Sequence, residues 1–157
     1  MKNILSLLVL SAFMSALLGC AGDSSAQSAS AESLYVVLNQ GVYTDNGMGT
    51  KKQTKVISSQ VDYAMELANY SSATPASVDF DKGRVLLVDM GTRNTGGYSI
   101  GVTSVDVSEN WVVARVGLVR PGSGCNVTQA LTNPFQFVFI PSRKEILVSE
   151  SLQITNC

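Results

Sequence analysis

Short runs with the two-residue period of β-strands fill the second half of the chain, and they restrict its fold more than any other feature. Apolar residues take every second position in two of these runs, Val112, Ala114, Val116 and Leu118, then Phe135, Phe137 and Phe139. A continuous Val-Leu-Leu-Val run within residues 84–90 is typical of a central strand covered on both faces. Turn-forming residues separate the runs. The pattern predicts a mainly β fold, a small antiparallel β-sandwich or open barrel.

One of these runs changes phase along its length. Tyr98, Ile100 and Val102 share one face, whereas Val105 and Val107 fall on the other. A single extra residue in a strand produces this change, so the run predicts a β-bulge near residues 103–104.

One N-proximal α-helix is predicted ahead of these strands. Ser58 or Ser59 can cap its first turn, and Asp62 follows Ser59 at the spacing of a capping box. Four residues recur at helical spacing and predict the face that packs on the sheet: Val61, Ala64, Met65 and Ala68.

The first residues of the chain have the order of an export signal. Lys2 precedes an apolar stretch that ends in Leu17-Leu18-Gly19-Cys20. This stretch resembles the lipobox of bacterial lipoproteins, in which acyl chains such as palmitate are attached to the cysteine after cleavage before it. An ordinary secretory signal in which Cys20 is incidental is the alternative, and the stretch is short for a transmembrane span.

The lipobox divides the chain into a signal peptide (1–19), lipidated Cys20 with a flexible Ser/Ala tether (20–33), and one β domain (34–157). The resemblance implies a lipid-anchored protein of the bacterial cell envelope that faces the periplasm or the cell surface. Ala21 after the cysteine favours the outer membrane if the cell is Gram-negative. The net charge of −1 gives no basis for nucleic-acid binding.

The two cysteines of the β domain, Cys125 and Cys157, are expected to form a disulfide in an oxidising compartment. A catalytic or metal-binding thiol is the alternative, but it requires a base or further ligands, and the chain has no histidine. The same absence excludes a Ser-His-Asp triad and a histidine-based zinc site. Residues 79–83 resemble a calcium loop only faintly, since they lack its distal glutamate. We therefore expect a non-enzymatic protein without a catalytic residue, metal or cofactor.

Two glycine-rich loops are the candidate binding elements, because long loops on a rigid β scaffold commonly carry function. The first spans residues 91–98, and the second spans residues 120–133. The candidate protein-binding residues are the charged, polar, glycine and aromatic residues of these loops: Arg93, Asn94, Thr95, Gly96, Gly97, Tyr98, Arg120, Asn126 and Gln129. Arg93 and Arg120 would form charge-assisted hydrogen bonds, and Tyr98 would be an aromatic anchor. Alternatively, the glycines serve turn geometry and Tyr98 packs at the rim of the sheet.

The order of these motifs resembles the PrcB family of protease-complex subunits, in its C-terminal domain. The likeness includes Thr95-Gly96-Gly97-Tyr98, Pro121-Gly122, the Val-Thr-Gln-Ala-Leu-Thr run at 127–132, Asn133-Pro134-Phe135 and Ile140-Pro141. The resemblance implies a non-enzymatic extracytoplasmic lipoprotein that associates with a surface protease and stabilises it. The expected partners are the membrane, through the lipid, and a protease or other envelope protein.

A second likeness concerns the first loop alone. Residues 94–98 are similar to the Asn-Pro-Thr-Thr-Gly-Tyr/Phe loop of chagasin-like cysteine-protease inhibitors, which are β-sandwich proteins. This chain lacks the proline, and Gly122 follows Pro121 where those inhibitors carry an aromatic residue. A protease inhibitor and a small-ligand or glycan-binding module therefore remain the alternative functions.

Overall fold

The structure is a computed structural model that describes residues 34–45 and 51–157. The predicted signal peptide, the predicted lipidation site Cys20 and the predicted tether lie outside the described residues. Seven strands and one helix follow one another along the chain: β1 (Val36–Gly41), β2 (Gln53–Ile57), α1 (Gln60–Leu67), β3 (Arg84–Asp89), β4 (Ser99–Val107), β5 (Trp111–Pro121), β6 (Phe135–Ile140) and β7 (Glu145–Thr155).

The strands form two facing sheets, one with four strands in the order β1-β6-β3-β2 and one with three in the order β4-β5-β7. The described strands lie in two separate sheets and do not close into a barrel, so the mainly β fold is confirmed and is sandwich-like. Every pairing in the larger sheet is antiparallel, as is β4 with β5.

One pairing departs from the predicted antiparallel arrangement. β7 runs parallel to β5 over its whole length, from Trp111↔Glu145 to Pro121↔Thr155. The chain leaves β5, enters the other sheet as β6 and then returns, so β7 arrives in the same direction as β5. Because this crossover depends on tertiary packing, strand periodicity alone did not reveal it.

The sheet order explains the two-sided burial of β3. Leu86 and Val88 face the smaller sheet and pack with residues such as Val116, while Val85 and Leu87 face the helix side. All four β3 side chains are fully buried, as the continuous apolar run predicted. The predicted bulge is present as well, since the β4–β5 register shifts between Val102 and Ser104.

The helix begins as predicted but buries a different face. The Ser59 side chain accepts a hydrogen bond from the Asp62 backbone at 3.1 Å. Tyr63 and Leu67 are buried against the larger sheet, whereas Val61 and Met65 of the predicted face are 68% and 60% exposed. The predicted face was therefore wrong, because two large side chains at i and i+4 bury more apolar area than the smaller set. Among the described residues, no helix has the length and apolar character needed to cross a membrane.

Candidate functional site

One end of the sandwich brings both predicted loops together. β3 and β5 end there, and β4 and β6 begin there, so residues 91–98 and 122–133 become neighbours. We call these two segments the paired-loop surface. Arg93 and Thr132 exchange backbone hydrogen bonds of 2.7 and 2.9 Å, and the Gly96 N–H donates to the Thr128 carbonyl at 2.9 Å. The Thr132 hydroxyl also donates to the Thr95 carbonyl at 2.9 Å. The two loops therefore form one connected surface.

The glycine pair allows this close approach. A Cβ atom on Gly96 would lie 2.3 Å from the Thr128 hydroxyl oxygen, far inside contact distance. Gly97 has a φ of +83°, in the left-handed region that favours glycine. Both glycines are therefore required by the backbone geometry, as the alternative interpretation of this loop predicted. The same geometry lets the two loops approach each other.

A buried polar cluster fixes the base of the paired-loop surface. Asp89, at the end of β3, is fully buried, and its carboxylate accepts three hydrogen bonds of 2.7 Å, from the Gly91 backbone, the Asn133 amide and the Tyr70 hydroxyl. Both loops and the segment after the helix therefore meet at one carboxylate. The pKa of Tyr70 is raised above its ordinary value. Burial of the phenol is the largest cause, and the hydrogen bond to Asp89 is the second.

Sequence reasoning missed this cluster. Its only signal was an aspartate directly after an apolar strand, together with an asparagine before Pro134. Tyr70 lies far from both along the chain, and nothing in its local pattern marks it as their partner.

Arg93 contributes to the internal structure of its loop. Its guanidinium donates to the Met90 carbonyl and lies 5.7 Å from the centre of the Tyr98 ring. Its Nε is buried and has no hydrogen-bond partner among the described residues. Tyr98 is half-buried and packs against the core between the sheets. The two side chains therefore stabilise each other on the inner side of the first loop.

The remaining predicted residues lie at the solvent side. Asn94, Asn126 and Gln129 are exposed, and Thr95 is half-buried. Arg120 is exposed too, but it lies within β5 and not in the second loop, where it was predicted, because the strand continues to Pro121. Cys125 and Cys157 are joined by a disulfide with a Cα–Cα distance of 5.0 Å, which ties the second loop to the end of β7. Asn126 and Gln129 are thus carried by a loop that is held at several points.

A cleft of 360 Å³ opens beside the paired-loop surface, between the end of β1 and the start of β4. Seven residues line it: Gln40, Gly41, Val42, Ser99, Ile100, Pro134 and Phe135. Its floor is apolar, because Phe135 is 3% exposed and Ile100 9%. The cleft has the size of a pocket for one large side chain or a small molecule.

The described residues contain no group of three His, Cys, Asp or Glu side chains that could hold a metal ion. In the segment with a faint likeness to a calcium loop, Asp79 forms a 2.9 Å ion pair with Lys82. That contact lowers the pKa of the Asp79 carboxyl, so the charge of Asp79 is balanced by Lys82.

One known protein family is similar to the part of the chain that contains both loops. The family model described as PrcB C-terminal matches residues 84–141. No curated protein and no solved structure shows significant similarity to the chain. The matched segment runs from β3 to the end of β6 and includes the whole paired-loop surface. Residues 84–141 are therefore similar to the PrcB C-terminal family.

Proposed function

We propose that this chain is a non-enzymatic accessory subunit that binds and stabilises an extracytoplasmic protease or another envelope protein. The match of residues 84–141 to the PrcB C-terminal family supports association with a protease complex. The lipid anchor on Cys20 and the position in the cell envelope are further parts of this proposal.

The observation that carries the proposal is the joining of the two loops within the matched domain. Backbone bonds between Arg93 and Thr132, the buried Asp89 and the Cys125–Cys157 disulfide hold the loops in one arrangement. A surface that is ordered before binding loses less conformational entropy when a partner docks, which favours protein recognition.

The contact groups that we propose are the exposed ones. Arg120, Asn126 and Gln129 would meet the partner directly, together with Asn94. An aromatic or long aliphatic side chain of the partner would enter the adjacent cleft, whose floor is Phe135. Arg93 and Tyr98 would act indirectly, by keeping the first loop in place.

The experiment compares two triple variants of the full chain in its native cells. The first carries Arg120→Ala, Asn126→Ala and Gln129→Ala on the paired-loop side. The control also removes one arginine and two amides, at exposed positions elsewhere: Asn69→Ala, Asn110→Ala and Arg143→Ala. After cross-linking and affinity purification, co-purifying proteins are quantified by mass spectrometry.

We expect the first variant to lose at least about 90% of a specific protease, a change of about 1.4 kcal/mol or more, and the control to retain it. Equal melting temperatures would show that the loss arises from binding. Retention by both variants would contradict the proposed surface, and recovery of a specific partner that is not a protease would contradict the protease assignment.

The proposed anchor has its own test. Cells grown with a clickable palmitate analogue should label the wild-type chain, and Cys20→Ser should abolish the label. Labelling that persists in the Cys20→Ser chain would contradict the anchor without affecting the binding proposal.

Inhibition of a protease is the second candidate, supported by the adjacency of the two loops at one end of the sandwich. The purified chain would then block a cysteine protease at equimolar concentration. Full protease activity at a large excess of the chain would exclude this function for the enzymes tested.

A further inference from the structure

The two sheets have four edge strands, and these edges differ in how well they resist pairing with another strand. Bulges, lysines and side chains that occupy the edge bonds all hinder such pairing. β1 has a register shift between Val37 and Asn39. In β2, Lys55 lies within the strand and Lys52 directly precedes it.

The edge of β4 is blocked by side chains. The Val102 N–H donates to Gln136 Oε1 at 2.8 Å, and the Tyr35 hydroxyl donates to the Val102 carbonyl at 2.8 Å. Both edge groups of this residue are therefore occupied. The bulge after Val102 further interrupts the edge.

Among the described residues, the edge of β7 shows no bulge, no lysine and no side chain that occupies its edge bonds. Its one charge on the face toward the larger sheet, Glu150, forms an ion pair with Lys52 of the same chain. The Thr155 carbonyl accepts a bond from the Gly122 N–H on the β5 side. Since bonding direction alternates along a strand, the residues whose N–H and C=O groups point away from β5 are Ile146, Val148, Glu150, Leu152 and Ile154. No group within residues 34–45 and 51–157 bonds these outward backbone atoms. β7 also has no proline, lysine or register shift along its length.

The side chains of β7 suit a strand added at this edge. On the face toward the larger sheet, Leu152 and Ile154 are 59% and 46% exposed. On the opposite face, Ser149, Ser151 and Gln153 are polar and exposed. A partner strand would therefore need an apolar row on one face and hydroxyl or amide groups on the other. β7 itself has these two faces, so a second copy of β7 meets the requirement.

We propose that β7 pairs antiparallel with β7 of a second copy of this chain, about a two-fold axis through Ser151. In this register Val148 lies opposite the second copy's Ile154, and Glu150 lies opposite its Leu152. All of these residues point their N–H and C=O groups outward, so each opposed pair can exchange two hydrogen bonds. The polar face is also self-complementary, since Ser149 lies opposite Gln153. The result is a single sheet that continues across both copies, a closed two-fold assembly.

Neighbouring registers are less favourable. An axis through Glu150 would place two carboxylates directly opposite each other. An axis through Ser149 would leave the exposed Ile154 without a partner residue within β7. The axis through Ser151 avoids both problems.

The first test uses two matched cysteine variants of the full chain in a Cys20→Ser background, purified in detergent. The native pair Cys125–Cys157 is closed, so the added thiol is the free one. Across the axis, Ser151→Cys would place two Cα atoms about 4.5 Å apart, within disulfide range. Ser149→Cys lies on the same exposed face but opposite Gln153, where no second thiol is available.

Mild oxidation is expected to give a covalent dimer with Ser151→Cys and little with Ser149→Cys, as judged on a non-reducing gel. Equal dimer formation by both variants would indicate random collision and overturn the proposal. So would a dimer that forms with Ser149→Cys alone. With Cys20 retained, a cross-link in native membranes from Ser151→Cys to a different protein, and not to a second copy, would overturn the proposal.

The second test examines the register through charge. Residue 152 lies opposite Glu150 of the second copy, so Leu152→Glu adds like charge on both sides of the axis, and Leu152→Lys adds opposite charge. We expect dimerisation to be about tenfold weaker for Leu152→Glu than for Leu152→Lys, measured by sedimentation equilibrium. Equal melting temperatures would show that both variants fold. Equal association constants, or a monomeric wild-type chain, would overturn the proposal.

Discussion

At the residue scale, Asp89 has the largest number of structural consequences. Its carboxylate is the shared acceptor for the helix side of the molecule, through Tyr70, and for both loops, through Gly91 and Asn133. A buried carboxylate is stable only when its oxygen atoms are hydrogen-bonded. The position of the paired-loop surface therefore depends on a side chain beneath it that cannot touch a partner.

Removing one of these bonds should destabilise the fold. Tyr70→Phe keeps the ring packing but removes the hydroxyl that donates to Asp89, and we expect a loss of about 2 kcal/mol in the free energy of unfolding. Chemical denaturation provides the measurement. Tyr43→Phe is the matched control, because Tyr43 is 54% exposed, and it should change stability little.

Tyrosine burial also predicts a response to alkaline pH. The pKa values of Tyr70 and Tyr63 are both raised above 10.0, with burial as the largest cause. In the unfolded chain these phenols lose their protons near pH 10, whereas in the fold they keep them, so their contribution to stability is complete below pH 10 and is lost as the pH rises. We expect the free energy of unfolding to fall by up to about 1.4 kcal/mol per pH unit for each tyrosine. A slope above pH 10 that is as steep in Tyr70→Phe as in the wild type would contradict the assignment to Tyr70.

At the element scale, the helix shows that residue size decides which face is buried. Tyr63 and Leu67 are one turn apart and fully buried, and Tyr63 contacts Phe137 edge-on with ring centres 5.7 Å apart. Val61 and Met65 have the same spacing but remain exposed. Their spacing alone could not distinguish the two faces.

A pair of alanine substitutions tests this orientation. Leu67→Ala should lower the free energy of unfolding by about 3 kcal/mol, because it leaves a cavity against the sheet. Met65→Ala should change it by less than about 0.5 kcal/mol. Denaturation curves of the two variants measure the difference, and similar losses in both would mean that the helix packs on a different face.

The disulfide connects an element to a loop, since it joins the end of β7 to residue 125 across 32 positions of sequence. Closing a loop of this length is expected to stabilise the fold by roughly 3–4 kcal/mol. Reduction, or the double change Cys125→Ser with Cys157→Ser, should lower the melting temperature by about 10 °C or more. The same reductant applied to the double variant is the control, and an equal shift there would show that the effect does not come from this bond.

At the scale of the whole molecule, local patterns predicted the elements better than their arrangement. The alternation of Val112 to Leu118 and the phase change after Val102 correspond to observed strands and an observed bulge. The parallel pairing of β7 and the cluster around Asp89 depend on residues that meet only after folding. Both loops were recognised from their glycines, but their mutual bonding through Thr128 and Thr132 has no signal in either loop alone.

The return of the chain from β6 to β7 has a consequence for how the protein folds. Neither sheet is built from a continuous stretch of sequence, because β6 belongs with the early strands and β7 with β4 and β5. Completing the smaller sheet requires β7 to pair with β5 across the whole intervening segment that contains β6. We therefore expect the domain to fold slowly, on a timescale of milliseconds to seconds, and to unfold in one cooperative transition seen equally by Trp111 fluorescence and by circular dichroism. The two halves of the sandwich should not exist separately, so a proteolytic fragment that ends before β6 should be unfolded.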